Sequence, residues 1–290
     1  MASRVGDDGR EDSMFKDING IRIAYTDEGQ GAPLLFVHGF PLSRATWSKQ
    51  VAFFKANHRV IAPDLRGLGE SASGPGPVSM SRFAEDLHDL AQRLSTGPVV
   101  LVGHSMGGYV ALAFAMAYPN ALSGLVLVGT KAGKDSPEAA AARRATAEKV
   151  RTEGVSVVVD AMAPKMLSAS REDPAMAAAV HGIMAASKPD GVMGALWGMA
   201  DRPDASARLG QIRVPTLVIT GADDTVIPPS ESVILAESIP GAQLTVIPEA
   251  GHLVAFERAD AFNEALNGWL DSRNSAPGFR GTISASHQPG

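Results

Sequence analysis

Residues 99–118 read VVLVGHSMGGYVALAFAMAY, and no other run constrains the fold as strongly. Val99-Val100-Leu101-Val102 suits a buried strand, and Met106–Tyr118 suits a helix. A chain that passes from one to the other across Gly103-His104-Ser105-Met106-Gly107 must turn sharply. At such a turn the serine hydroxyl projects above the sheet edge, while the flanking glycines leave room for neighbouring chain. The helix that follows offers free N–H groups and a positive dipole end. Ser105 could instead be a simple helix N-cap, but the strand–turn–helix context favours a nucleophile. The run is apolar enough to resemble a membrane span. His104, Ser105 and the interspersed glycines argue against that, as does the strand character of its first half.

The chain around this run alternates short strands with helices, which predicts a parallel sheet covered by helices. Asn19-Gly20 between Met14–Ile18 and Ile21–Thr26 signals a hairpin. Strands at Pro33–Val37, Arg59–Ala62, Pro98–Gly103 and Gly124–Gly129 then alternate with helices at Ser43–Ala56, Ser79–Ser95 and Met106–Tyr118. The alternation breaks from Lys131 to Gln211, an Ala- and Met-rich stretch of helical character whose one strand-like run is VSVVV at Val155–Val159. It resumes with Val214–Thr220, Pro229–Ile239, Gln243–Ile247 and Val254–Leu270. The expected division is a core of residues 14–130 and 212–271, a helical cap at 131–211 over the C-terminal strand edge, and disordered ends at 1–13 and 272–290.

Composition narrows the function classes. The 290 residues suffice for a substantial core, and a net charge of -5 without a basic run gives no footprint for nucleic acid. The chain has no cysteine, which removes disulfides, thiolate catalysis and Cys-based metal sites. The acidic N-terminus lacks the apolar segment of a secretory signal, so a cytoplasmic protein with no membrane partner is expected. No metal-ligand cluster is evident and no cofactor is implied. Self-association is left open.

A nucleophilic serine needs a base, and the base needs a group that fixes its tautomer, in the chain order serine, acid, histidine for such a turn. Of seven histidines, only His181, His252 and His287 follow Ser105 far enough along the chain. His181 falls in the cap and His287 in the tail, whereas His252 lies between the last strand and the last helix, so it is the expected base. The acid belongs on the loop after VPTLVIT, which offers Asp223 and Asp224. Acyl transfer also needs preorganised N–H donors for a developing oxyanion. Met106, directly after the nucleophile, is one, and Phe40 in His38-Gly39-Phe40-Pro41 is the other, since proline has no N–H. His38 is expected to shape this loop by hydrogen bonding, and Gly39 by adopting an unusual backbone conformation.

Five segments in order, VHGFPLS, DLRGLGES, VGHSMGG, GADDTVIP and EAGH, resemble the α/β-hydrolase superfamily, in particular small bacterial carboxylesterases, cofactor-free haloperoxidase-type perhydrolases and 3-oxoadipate enol-lactonases. The resemblance spans about Phe15 to Leu270. It implies a mostly parallel eight-stranded sheet with helices on both faces and a helical cap after the sixth strand. It also implies a triad. The family's acid stands third after a glycine, followed by three residues and a proline, and Asp224 with Pro228 fits. Asp223 is then expected to bond the turn's own backbone. The DLRGLGES segment is structural in the resemblance, so Asp64 and Arg66 carry no catalytic role. Ser105 argues against the dehalogenases and epoxide hydrolases of the superfamily, which use an aspartate.

The implied activity is hydrolysis of small carboxylic esters through an acyl-enzyme. A lactonase is the second reading, with GTKAG…SPE and KVRTEG resembling enol-lactonase caps, and Phe40-Pro41 resembling perhydrolases allows peracid formation as a side activity. A small-molecule receptor that keeps the triad but turns over little substrate is a third. Candidate pocket residues are Met162, Met166, Met193 and Trp197 of the cap, with Val226 and Leu253 beside the acid and base. Met184, Leu196 and Met199 are further cap candidates. A lactonase would need a cation, for which Lys131, Lys134, Lys165 and Lys188 are available.

Overall fold

The computed structural model describes residues 13–74, 76–170 and 173–275. Within it the Asn19-Gly20 turn takes φ of 46° and 80°, and Ile18 pairs with Ile21, closing the hairpin of β1 (Met14–Ile18) and β2 (Ile21–Glu28). Both positive φ values match the right-handed strand twist, as a two-residue hairpin requires. The chain continues through β3 (Pro33–Val37), α1 (Ser48–Phe54), β4 (Arg59–Pro63), α2 (Met80–Arg93), β5 (Val99–His104), α3 (Met106–Ala117) and β6 (Leu122–Val128). Four helices follow before the next strand: α4 (Pro137–Glu153), α5 (Ser156–Met162), α6 (Pro174–Ala185) and α7 (Pro189–Ala200). Then come β7 (Thr216–Gly221), α8 (Pro229–Ser238), β8 (Gln243–Ile247), α9 (Val254–Glu257) and α10 (Ala259–Ser275).

The eight strands form one sheet in the order β1-β2-β4-β3-β5-β6-β7-β8. The pairs β1–β2 and β2–β4 are antiparallel and all others parallel. Strands β5 and β7 are buried along their whole length, which accounts for the unbroken apolar runs that replace alternation in the sequence. Two cores lie on opposite faces. Phe83, Leu101, Val110 and Phe114 belong to one, and Phe36, Trp47, Phe54 and Phe262 to the other.

The helices between β6 and β7 join the first core through Val150, Val192 and Met199. A further cluster unites Val159, Met166, Val180 and Met184 with Leu42 and Leu253, which stand on loops at the C-terminal strand edge. The run VSVVV lies in α5, a helix and not a strand. Its β-branched residues favour strands only where a neighbouring strand can pair. Here Val158 buries in the core on one face of the sheet and Val159 in the cluster with Met166 and Val180 instead. Ser43–Ala56 is a 3-10 turn, Arg44–Trp47, leading into α1. The last helix runs to Ser275, into the segment assigned to the tail, while residues 1–12 and 276–290 lie outside the described residues. Among the described residues no helix is long and apolar enough to cross a membrane.

Candidate active site

Ser105 sits between β5 and α3 with φ 53° and ψ -115°, a conformation costly for a residue with a Cβ. The surroundings hold it there. Its amide donates to the Val128 carbonyl at 2.8 Å, and its own carbonyl accepts from the Thr130 hydroxyl at 2.8 Å. The two glycines of the motif are needed for space: a Cβ on Gly103 would overlap the Gly107 carbonyl, and one on Gly107 the Val37 carbonyl.

The Ser105 hydroxyl lies 2.9 Å from His252 Nε2, and His252 Nδ1 lies 2.8 Å from Asp224 Oδ2. His252 and Asp224 are buried, at 1% and 4% exposure. The other Asp224 oxygen accepts from the amides of Val226 and Ile227, both at 2.9 Å, which fixes the carboxylate's orientation. Asp223 points elsewhere. It bonds not the turn backbone but the hydroxyls of Ser168 and Ser170, at 2.5 and 2.8 Å, and these hold its carboxyl below the usual range. The adjacent aspartates therefore divide the work: one faces the imidazole and the other ties the loop to the segment between α5 and α6.

His104 donates from Nε2 to the His252 carbonyl at 2.9 Å, so it supports the imidazole's loop and not the hydroxyl. Burial, reinforced by the neighbouring His252, pushes its pKa well below the ordinary value. Two supports were not read from the sequence. Thr130 anchors the Ser105 carbonyl, and Glu257 accepts from the amides of Gly251 at 2.7 Å and Ser168 at 2.9 Å. A carboxylate five residues beyond His252 on a short helix was the available signal for Glu257.

Phe40 and Met106 are buried beside the hydroxyl, and neither backbone amide has a hydrogen-bond partner among the described residues. His38 shapes the loop as expected. Its Nε2 accepts from the Leu65 amide at 2.9 Å and its Nδ1 meets the Gly39 carbonyl at 2.8 Å. The expectation for Gly39 needs correction. Its φ lies outside the left-handed region, and what it supplies is space, since a Cβ would stand 2.9 Å from His104 Nδ1 and 3.0 Å from Ser105 Cβ. Asp64 and Arg66 are buried structural anchors. Asp64 accepts from the amides of Arg44 and Glu70, at 2.7 and 2.8 Å, and Arg66 pairs with Asp86 at 2.6 Å.

Ser105 opens into a cavity of about 130 Å³. Of the expected pocket residues, Met162 and Val226 line it, as do Phe40 and, from α7, Met199. Met166, Met193, Trp197 and Leu253 do not. Met166 and Leu253 bury together in the cluster with Val180, and Met193 and Trp197 pack in the core under α7. Met193 and Trp197 stand on a helix buried on several sides, where apolar side chains can face the core as readily as the cavity, so residue type did not distinguish them. Tyr109, Arg143 and Glu231 also line the cavity, and Lys131 alone of the four candidate lysines does. Arg143 and Arg202 both pair with the buried Asp135, at 2.5 and 2.9 Å, with Lys131 3.8 Å away.

The family model for the alpha/beta hydrolase fold matches residues 32–259. The chain belongs to the α/β-hydrolase family. Within that family it is similar to a thermophilic esterase from Thermogutta terrifontis, with 41% identity, a TM-score of 0.87 and coverage of 90% of this chain and 98% of the other. A bromoperoxidase from Bacillus anthracis has 27% identity and a TM-score of 0.80, with 89% and 99% covered. The 3-oxoadipate enol-lactonase 2 of Acinetobacter baylyi is 27% identical over 87% of this chain and 95% of its own. A hydrolase is the activity class these relationships support.

Proposed function

We propose that this α/β-hydrolase cleaves carboxylic esters of small substrates through an acyl-enzyme intermediate. The observation that carries the reading is the unbroken hydrogen-bonded chain from Asp224 through His252 to Ser105 at a strained strand-to-helix turn. His252 takes the hydroxyl proton at Nε2 as Ser105 Oγ attacks the ester carbonyl. Asp224 keeps the Nδ1–H tautomer in place and stabilises the imidazolium. The carbonyl oxygen, now an anion, accepts from the amides of Phe40 and Met106, whose hydrogen-bonding capacity is otherwise unused. Collapse expels the alcohol, which takes the proton from His252. Water then attacks the acyl carbon as His252 takes its proton, and collapse breaks the bond to Ser105 Oγ, which recovers that proton from His252 as the acid leaves.

In this reading residues 131–211 form the cap that selects the substrate, since α4, α5 and α7 contribute Arg143, Met162 and Met199 to the cavity. A lactonase is favoured as second reading by one feature: Lys131 and Arg143 line the cavity that holds Ser105, and either could meet a substrate carboxylate. Treatment with a fluorophosphonate probe and peptide mapping tests the mechanism. A single adduct on Ser105, absent after Ser105→Ala, is expected; no adduct refutes it and leaves the receptor reading. Turnover of p-nitrophenyl butyrate set against turnover of carboxylated lactones decides between the two hydrolytic readings.

A further inference from the structure

A second cavity, of about 290 Å³, adjoins the one at Ser105 and lies between the start of α2, the α3 helix and residues 202–208. The two follow one face of α3. Ser105 and Tyr109 line the first, and Tyr109, Leu112, Ala113, Met116 and Ala117 line the second. These positions recur at helical spacing, so they form a continuous stripe. Tyr109 belongs to both cavities, as does Lys131 from the loop after β6.

The Tyr109 ring is held in that position. It is 7% exposed, and the Arg202 guanidinium lies over it, 4.1 Å from the ring centroid. Arg202 is itself fixed by Asp135 at 2.9 Å and by the carbonyls of Gly133 and Met199, at 2.8 and 3.1 Å. A cation stacked on a buried ring resists its rotation. Size gives the wall its meaning. A closed apolar cavity of roughly 150 Å³ holds a six-carbon ring; the cavity at Ser105 is of similar volume, so on the side walled by Phe40, Met199 and Tyr109 it has room for a group of about five or six heavy atoms. Butyryl reaches that limit.

We propose that Tyr109 sets the chain-length limit of the site: its ring is a fixed partition between a short acyl pocket at Ser105 and an apolar cavity able to take a longer chain. The inference rests on the esterase reading. With the ring removed, the tail of a medium-chain acyl group passes Tyr109 and lies along Leu112, Ala113 and Met116.

The test compares kcat/KM for p-nitrophenyl octanoate and butyrate. The wild-type chain should favour butyrate. Tyr109→Ala should raise the octanoate-to-butyrate ratio at least tenfold, about what one methylene seated in an apolar pocket gives. Tyr109→Leu, which removes the ring but keeps an apolar side chain in the core, should move the ratio the same way and serves if the alanine variant does not fold. Tyr109→Phe keeps the ring and should keep the low ratio. Adding Ala113→Phe to Tyr109→Ala refills the second cavity and should return the ratio toward the wild-type value. A folded Tyr109 variant whose ratio rises less than about threefold, or a rise that survives refilling, overturns the inference. Failure of the wild-type chain to turn over any of these esters overturns the esterase reading itself, and the inference with it.

Discussion

At Ser105 the unfavourable φ is held by bonds to Val128 and Thr130 on one side and by the close passage of Gly39 on the other. Backbone strain held in this way is what the proposed nucleophile requires. Ser105→Ala should therefore lower ester turnover about 10⁴-fold or more without lowering the melting temperature. The aspartate pair provides a sharper comparison. Asp224→Asn should cut kcat roughly 10³- to 10⁴-fold, because an amide cannot fix the Nδ1–H tautomer of His252. Asp223→Asn loosens only the bonds to Ser168 and Ser170, and its kcat should fall less than about tenfold. Equal losses in kinetic assays would show that both carboxylates act on the imidazole.

Among the elements, α7 is the one whose packing depends most on small residues. A Cβ on Gly191 would overlap the Gly67 carbonyl, and one on Gly198 the Val78 carbonyl, while the Val78 amide donates to the Gly194 carbonyl at 3.0 Å. Gly198→Val should destabilise the protein by about 1–3 kcal/mol or more, read as a lower urea midpoint. These helices also mark how far the sequence could be read. The turn at Ser105 and the hairpin at Asn19-Gly20 are specified by local backbone chemistry, so residue type and order sufficed, whereas the choice between Asp223 and Asp224 came from the family resemblance. In α7, Met193 and Met199 both join the core, and Met199 also lines the cavity, from a helix apolar on nearly every face. Side-chain direction there is set by tertiary packing, and no periodicity announces it. Arg143 was hidden for a related reason: only the fold brings α4 to the mouth of β5.

For the whole molecule, buried imidazoles shape the response to pH. Burial lowers the pKa of His38 and His104 below the ordinary 6.5. Between their folded values and 6.5 the unfolded chain binds more protons than the native one, so stability rises with pH across that interval and falls as pH drops through it. The melting temperature should climb from pH 5 to pH 7 and level off above. A flat profile would mean that both rings are already protonated in the fold or neutral in the unfolded chain. Because α7 rests backbone on backbone, it cannot swing aside like a door without stranding the Val78 amide and the Gly194 carbonyl. Any opening at this face must therefore break that bond, so α7 and the segment before α2 move as one unit or not at all.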